Sequence, residues 1–143
     1  MEKIEKEKTK EKLRNLEEYL GYLLILQEKS KSKEAFVNNF ELYGLVERYL
    51  QLSVQCVLDV VNIFVKSEEK IRPYDNYEGV DSLVKNLVIS EETAENVKKM
   101  IGLRNILVHE YGKIDREEIY DVLKNDLKDI EKFKKEVSDF LQR

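Results

Sequence analysis

The sequence predicts an all-α protein, and three observations lead to this fold class. The chain of 143 residues holds only 5 Gly and 1 Pro, too few for the many turns of an all-β domain. Hydrophobic residues make up 42% of the chain, enough for a packed core. Apolar residues recur at helical spacing along most of its length. We therefore expect one domain over residues 1–143, an antiparallel bundle of four long helices and one short helix.

The first predicted helix runs from Met1 to about Lys29. Its opening interleaves Glu with Lys, and this mixture of signs favours a solvated helix face over an arm that binds nucleic acid. Leucines then recur at helical spacing and form the stripe that should face the core. This stripe consists of Leu13, Leu16, Leu20, Leu23 and Leu24.

The second predicted helix runs from about Lys33 to Lys66, and Ser32 is its expected N-cap. Gly44 inside it is expected to mark a bend or a close approach of another helix. The second half of this helix is apolar on more than one side, which is typical of a helix buried on several faces, and we expect a partner chain to cover one of them.

A polar stripe crosses this apolar helix. Gln55, Asp59 and Asn62 stand at positions i, i+4 and i+7. Buried polar groups need partners. Asp59 could pair with Arg104 or orient His109, or it could face solvent or satisfy the bundle, and the pattern leaves these alternatives open.

The remaining elements follow from breaks and caps. Arg72 to Tyr77 is a predicted loop, and Gly79 to Leu87 a short helix. Ser90 should cap the next helix, although Thr93 occupies the position at which a capping box carries Glu or Gln. That helix is expected to end near Gly112. Asp115 is expected to cap the last helix, which reaches the end of the chain.

Composition excludes several classes of function. One Cys and one His exclude an internal disulfide, a cysteine-based metal site and a histidine-rich metal site within one chain, so we predict neither metal nor cofactor. The net charge of −4 argues against nucleic-acid binding by bulk charge, so a site for nucleic acid has to be local. We expect no apolar run to approach the length of a membrane span, and the N-terminus is a charge run, so we expect a cytoplasmic protein without a membrane partner.

The segment from Gly102 to Asp115 contains the candidate catalytic residues, among them the single His of the chain. Five helical steps place Arg104 and His109 about 140° apart, whereas Asn105 and His109 share a face. The two could flank a groove, or the helix could end before His109. Arg suits phosphate and His transfers protons near neutral pH, so together they could cleave a phosphodiester without a metal, through attack by the substrate's own hydroxyl. Spacing alone favours a lone His at a helix terminus.

A resemblance changes this balance. Arg104, His109, Tyr111 and Ile114-Asp115 resemble the signature of the HepT-like branch of the HEPN superfamily. The second helix is also similar to that branch, as are the Arg72-Pro73 loop with Tyr77 and the run Leu103-Arg104-Asn105. In the second helix the similar residues are Val46-Glu47-Arg48-Tyr49-Leu50-Gln51, Gln55, Val57-Leu58-Asp59-Val60 and Asn62.

The resemblance implies an all-α homodimer that acts as the metal-independent ribonuclease toxin of a type VII toxin–antitoxin pair. Arg104 would bind the scissile phosphate, His109 would act as general acid and base, and Asn105 would support the site, with Asp59 as a further supporting residue. The partner would be a minimal nucleotidyltransferase antitoxin that transfers AMP from ATP to Tyr111. The added bulk and negative charge should repel RNA.

Two other classes of function remain open. The chain could be a non-catalytic subunit that binds a separate nucleotidyltransferase or a nucleotide in the dimer cleft. It could also be a purely structural dimer in which Arg104 and His109 form a buried polar cap. A structural role predicts that His109→Ala lowers the melting temperature, whereas a nuclease loses RNA cleavage with little loss of stability. Cys56, in its apolar setting, is expected to be a small core residue.

Overall fold

The structure, a computed structural model, describes residues 1–68, 75–108 and 116–143, without the side chains of Glu68, Asn105, Ile106 and Val108. These residues are helical or lie in short connections, which confirms the all-α class. The described helices are α1 (Lys3–Lys29), α2 (Lys33–Val37), α3 (Phe40–Glu68), α4 (Asn76–Lys85), α5 (Glu91–Val108), α6 (Arg116–Asn125) and α7 (Leu127–Leu141).

The helix α3 lies at the centre of the protein, in contact with α1, α2, α4, α5 and α6. Several of its apolar side chains are completely buried, because neighbours cover it on more than one side. These side chains are Val46, Leu50, Val54, Val57, Val60 and Val61.

The same helix is long and apolar enough to cross a membrane by length and composition, against our expectation that no segment approaches such a span. One helix of this kind is weak evidence for a membrane segment, because the core helix of a soluble protein has the same composition. Within its most apolar window 56% of the residues are buried inside the protein, as a core helix requires.

Paired contacts give the relative directions of the helices. On α1 and α3, Lys12 meets Asp59 and Tyr19 meets Tyr49, so the two helices run antiparallel. Hydrogen bonds join Thr93 to Glu136 and Asn96 to Asp129, so α5 and α7 are antiparallel as well. The helix α7 also packs against α1, and α5 packs against α3. This packing places α1 and α5 both against α3, which positions the candidate site.

The predicted second helix is two helices, α2 and α3, so this element of the prediction is wrong. The Asn38 side chain donates to the carbonyl of Glu34 at 2.9 Å and ends α2. The Asn39 side chain accepts from the backbone N–H of Leu42 at 3.1 Å and begins α3. Two consecutive cap residues therefore end one helix and start another. The break after Lys29 and the Ser32 cap are confirmed, since Ser32 accepts from Ala35 N at 3.1 Å.

The predicted last helix is also divided, at Asp126, into α6 and α7. Backbone bonds bridge the division, because Asp126 N donates to Val122 O at 2.9 Å and Asp129 N to Asp126 O at 3.0 Å. Neither Pro nor Gly stands there, so the sequence carries no strong signal for the division. Asp115, the predicted cap, and Gly112, the predicted end of the preceding helix, lie outside the described residues.

Three finer predictions are corrected. The short helix α4 exists but begins at Asn76, because the Asp75 side chain accepts from Glu78 N at 2.8 Å, so Tyr77 is helical and not part of a loop. Leu24 is 51% exposed, and Leu26 takes its place in the buried stripe of α1. A Cβ at Gly44 would meet no neighbouring atom within 4 Å, so no helix approaches closely there, and the alternative of a bend at Gly44 stays a prediction.

Ser90 caps α5 as predicted, and α7 supplies the acidic group that the capping box lacks. The Ser90 hydroxyl accepts from the backbone N–H of Thr93 at 3.2 Å. Glu136 accepts from Ser90 N at 2.6 Å and from the Thr93 hydroxyl. A carboxylate from a distant helix thus performs the role that a local Glu has in a capping box.

The end of α4 holds a strained leucine. Val88 N donates to Leu83 O at 2.9 Å and Leu87 N to Val84 O at 3.0 Å, which is the Schellman pattern. That pattern places Leu87 in the left-handed region at φ 62°, where Gly is usual. Its side chain is 74% exposed, so little burial compensates for the strain.

Leu87→Gly should therefore raise the free energy of unfolding by about 1 kcal/mol, because glycine adopts a positive φ without the clash of a Cβ. Urea denaturation followed by circular dichroism measures the change. Leu87→Ala is the matched control, since it removes the exposed side chain but keeps the Cβ. An equal gain for both variants would attribute the effect to the exposed side chain instead of the backbone.

Candidate functional site

The site is built around Arg104, which lies half-buried near the end of α5. Its guanidinium faces α3, where the side-chain oxygen of Gln55 accepts two hydrogen bonds. The Nε–H of Arg104 donates at 3.2 Å and an Nη2–H donates at 3.0 Å to the same Oε1 atom. This contact uses two of the five N–H donors of the guanidinium. Because the acceptor is an uncharged amide, the contact does not cancel the positive charge of Arg104.

Gln55 is held in turn by Asp59, one turn further along α3. The Gln55 Nε2 donates to Asp59 Oδ1 at 2.8 Å. The other carboxylate oxygen of Asp59 pairs with the Lys12 Nζ of α1 at 3.1 Å. The four side chains Lys12, Asp59, Gln55 and Arg104 form a continuous series of polar contacts from α1 through α3 to α5. We call this series the polar relay.

The contacts of Asp59 bear on the alternatives left by the sequence. Its described partners are Lys12 and Gln55, so Asp59 reaches Arg104 through Gln55 and not by the direct pair that we considered. It is also part of the bundle's own hydrogen bonding. Asn62, the third residue of the polar stripe, is half-buried and has an interaction partner.

Lys12 was not predicted from the sequence as a site residue. It stands in the Glu- and Lys-rich start of the chain, which predicts a solvated helix face, and no local spacing singles it out. Only the antiparallel packing of α1 on α3 brings it to Asp59. The pKa of Lys12 is raised because its ammonium is hydrogen-bonded to the Asp59 carboxylate, although burial opposes this shift. The side chains are 37% and 28% exposed, so such a pair adds less than about 1 kcal/mol to stability, and its effect is mainly geometric.

Two of the predicted site residues lie outside the described part of the chain. These are His109 and Tyr111. Asn105 lies on α5 directly after Arg104, but its side chain is outside the description too. The geometry therefore shows the surroundings of Arg104 and Asp59, while the functional roles of all five residues stay predictions.

The first residue of α6 is also held against α3. The Arg116 guanidinium lies 4.2 Å from the centre of the Tyr43 ring, a cation–π contact. Near it, burial raises the pKa of the Glu47 carboxyl, and the positive charge of Arg116 lowers it by a smaller amount. Arg104 before residues 109–115 and Arg116 after them both contact α3, so the helix positions both flanks of the predicted catalytic segment.

Within residues 1–68, 75–108 and 116–143, no group of three or more His, Cys, Asp or Glu side chains is arranged to hold a metal ion. Cys56 is buried, with 6% of its surface exposed, which confirms the prediction of a core residue. Burial raises the pKa of its thiol to about 11, and Lys12 partly offsets this shift. A thiol in this state is a poor nucleophile at neutral pH.

Comparison with known proteins decides the family. A family model described as "Ribonuclease HepT-like" matches residues 9–137, which is most of the chain. The chain belongs to the HepT-like ribonuclease family. This confirms the resemblance carried by the Arg104 segment and the second helix.

Curated relatives of this HepT-like chain bear nuclease names. The mRNA nuclease HepT of Shewanella oneidensis is 30% identical over 98 residues, which cover 68% of this chain and 74% of that protein. The tRNA nuclease HepT of Aphanizomenon flos-aquae is 27% identical over 110 residues, which cover 77% of this chain and 75% of that protein. The two names specify different RNA classes, so similarity alone does not assign a substrate.

A solved structure shares the fold. It is the tri-AMPylated HEPN toxin of Shewanella oneidensis in complex with an MNT antitoxin. Its TM-score is 0.81 at 23% sequence identity, over 97% of this chain and 99% of that one. At this identity the likeness establishes the fold of the HepT-like chain.

The pKa of Cys56 makes a prediction about reactivity. At pH 8 a thiol with a pKa near 11 is ionised to about one part in a thousand, so iodoacetamide should react with folded protein at least about 100-fold more slowly than with protein in guanidinium chloride. Intact mass over time measures both rates. Because the pKa of the Cys56 thiol is higher in the folded than in the unfolded state, the free energy of unfolding should also fall as pH rises from the ordinary thiol pKa towards 11. Equal rates in the two states would contradict a buried thiol.

Proposed function

We propose that this protein is a metal-independent endoribonuclease, the toxin of a type VII toxin–antitoxin pair. The observation that carries the proposal is the state of Arg104. Gln55 holds its guanidinium with a neutral acceptor, so the cation keeps its charge for a phosphate. Because the net charge of the protein is −4, a site that binds RNA needs local positive charge, and Arg104 supplies it. Membership in a ribonuclease family supplies the class of reaction.

In the proposed reaction the 2′-hydroxyl of the RNA attacks the adjacent phosphorus, and the bond from phosphorus to the 5′-oxygen breaks. Arg104 stabilises the charge that develops on the phosphoryl oxygens. His109 accepts the proton of the attacking hydroxyl and returns a proton to the leaving oxygen. Asn105 supports the site beside Arg104, and Asp59 supports it through Gln55. No step requires a metal ion or a cofactor.

A homodimer is part of the proposal, because two-fold symmetry would bring a second Arg104 and a second His109 to the cleft. An exposed apolar patch supports it. The Tyr22 ring lies 5.0 Å from that of Tyr49, and Leu45 stands one turn before Tyr49 on α3. Tyr22, Ile25 and Leu45 are 38%, 54% and 47% exposed. Leu45, Leu52, Gln55 and Asp59 follow one face of α3, so the patch continues towards the polar relay.

The first test is cleavage of total RNA by the purified protein in EDTA. We expect the wild type to cleave, and Arg104→Ala and His109→Ala each to lose at least about 100-fold in rate, because each removes a group that acts in the transition state. Melting temperatures should stay close to that of the wild type. Light scattering on the same samples should give twice the 17.0 kDa of one chain.

Cleavage by His109→Ala at the wild-type rate would contradict the assignment of His109. A lower melting temperature for His109→Ala, with no cleavage by the wild type or by either variant, would favour the structural dimer. A stable, unmodified dimer that binds a nucleotidyltransferase but cleaves no RNA would favour the second candidate, a non-catalytic subunit. That candidate is supported by the antitoxin in the solved complex of the similar toxin.

Neutralisation is proposed to occur at Tyr111, by transfer of AMP from ATP with release of pyrophosphate. The partner would be a minimal nucleotidyltransferase, and the cytoplasm is where we expect both to act. The similar toxin is AMPylated in its complex with an MNT antitoxin. The bulk and negative charge of the added AMP should repel the phosphates of RNA.

Coexpression with a cognate minimal nucleotidyltransferase should therefore add one or more AMP masses to the wild type and abolish its cleavage of RNA. Intact mass spectrometry reads the modification. Tyr111→Phe is the matched variant, since it removes only the acceptor hydroxyl. If Tyr111→Phe acquires the same number of AMP groups as the wild type, the acceptor is another residue.

A further inference from the structure

The polar relay assigns a role to residues beyond the predicted catalytic set. We propose that Gln55 is a positioning residue that aligns the Arg104 guanidinium for phosphate without neutralising it, and that Asp59 and Lys12 determine which way the Gln55 amide faces. This inference rests on the proposed function, since it concerns the same site.

The first step is the orientation of the Gln55 amide. Its oxygen accepts from Arg104 and its nitrogen donates to Asp59, at 3.0 and 2.8 Å. A flipped amide would place an NH2 group against the guanidinium and an oxygen against the carboxylate, and both contacts would be repulsive. The negative charge of Asp59 therefore allows one orientation, the one that presents an acceptor to Arg104.

The second step is the charge balance along the relay. Asp59 is paired with Lys12 at 3.1 Å, so its negative charge is compensated at the α1 end of the relay. Gln55 lies between Asp59 and Arg104, one helical turn before Asp59 on α3, and carries no charge of its own. Arg104 is thus held in place through a carboxylate that does not pair with it directly. The relay carries a net charge of +1, contributed by Lys12 and Arg104 against Asp59.

The third step is the choice of Gln over Glu at position 55. A carboxylate there would make shorter and stronger bonds to the guanidinium. It would also cancel the charge that has to attract and stabilise a phosphate. As a purely structural anchor for Arg104, Glu would serve about as well as Gln, because its stronger bond to the guanidinium offsets the repulsion between its second oxygen and Asp59, whereas an anchor that serves phosphate binding would be impaired. This difference separates the two roles experimentally.

The experiment compares Gln55→Glu and Gln55→Met with the wild type. Binding is measured by fluorescence anisotropy with a single-stranded 2′-O-methyl oligoribonucleotide, which cannot be cleaved, over a range of salt concentrations. Cleavage is measured with the unmodified oligoribonucleotide. Gln142→Glu is the matched control, because it adds the same charge at an exposed position close to the end of the chain.

For Gln55→Glu we expect a Kd about tenfold higher at low salt, and a plot of log K against log salt that is shallower by about 0.7, the value for one lost phosphate contact on a single strand. The melting temperature should change little, because the stronger contact with Arg104 offsets the repulsion between the new carboxylate and Asp59. For Gln55→Met we expect the wild-type salt slope, because Arg104 stays charged, with kcat about tenfold lower, because the guanidinium is no longer aligned. Gln142→Glu should match the wild type in slope and kcat.

Wild-type salt slope and kcat in both Gln55 variants would overturn the positioning role, provided that the wild type cleaves RNA and Arg104→Ala does not. A higher melting temperature with unchanged binding for Gln55→Glu would show a structural anchor and overturn it too. Failure of the unmodified wild type to cleave, or wild-type cleavage by Arg104→Ala, would overturn the proposed function, and this inference with it.

Discussion

The burial of α3 is the constraint on which the rest of the structure depends. The six other described helices all contact it, α7 through the rings of Phe64 and Phe140, and its valines and leucines at the centre are fully covered. Each such side chain contributes about 1.5–3 kcal/mol relative to exposure, so removing one weakens several helix contacts at once. A helix covered on several sides has only narrow strips left for polar residues. Gln55 and Asp59 occupy one of these strips, between α1 and α5.

This position explains why a few polar contacts can organise the site. The rigid α3 backbone fixes Gln55 and Asp59 one turn apart, and the packing of α1 and α5 brings Lys12 and Arg104 to them. Arg116, on the other side of residues 109–115, contacts the same helix through Tyr43. The proposed chemistry depends on placing a charged group accurately, and side chains held by a packed helix are placed more accurately than those on a loop. The arrangement around Arg104 agrees with that requirement.

Some helix ends depend on contacts within a few residues, and others depend on contacts with distant parts of the chain. Asn38 and Asn39 end α2 and begin α3 through contacts within a few residues. The start of α5 instead depends on Glu136 of α7, which completes a cap that Ser90 begins. Leu87 accepts a left-handed backbone at the end of α4, and Arg143 near the end of the chain donates to its carbonyl at 3.3 Å. Contacts from α7 and from Arg143, two residues beyond its end, therefore support a cap and a turn far away in the sequence.

By itself, the sequence determined the helical class, the extent of α1, the Ser32 and Ser90 caps, the buried Cys56 and the family, because periodicity, caps and a motif are local properties. Even locally it failed where the signal was ambiguous, as at Asn38-Asn39, Tyr77 and the undivided last helix. It marked Gln55 and Asp59 as a polar stripe but not their partners. Only the tertiary structure decided that Asp59 takes Lys12 and Gln55, that Glu136 completes the cap of α5, and that Leu24 faces outwards. These outcomes depend on the direction and rotation of helices packed together, and residues as far apart as Lys12 and Asp59, or Gln55 and Arg104, carry no mutual signal in one sequence.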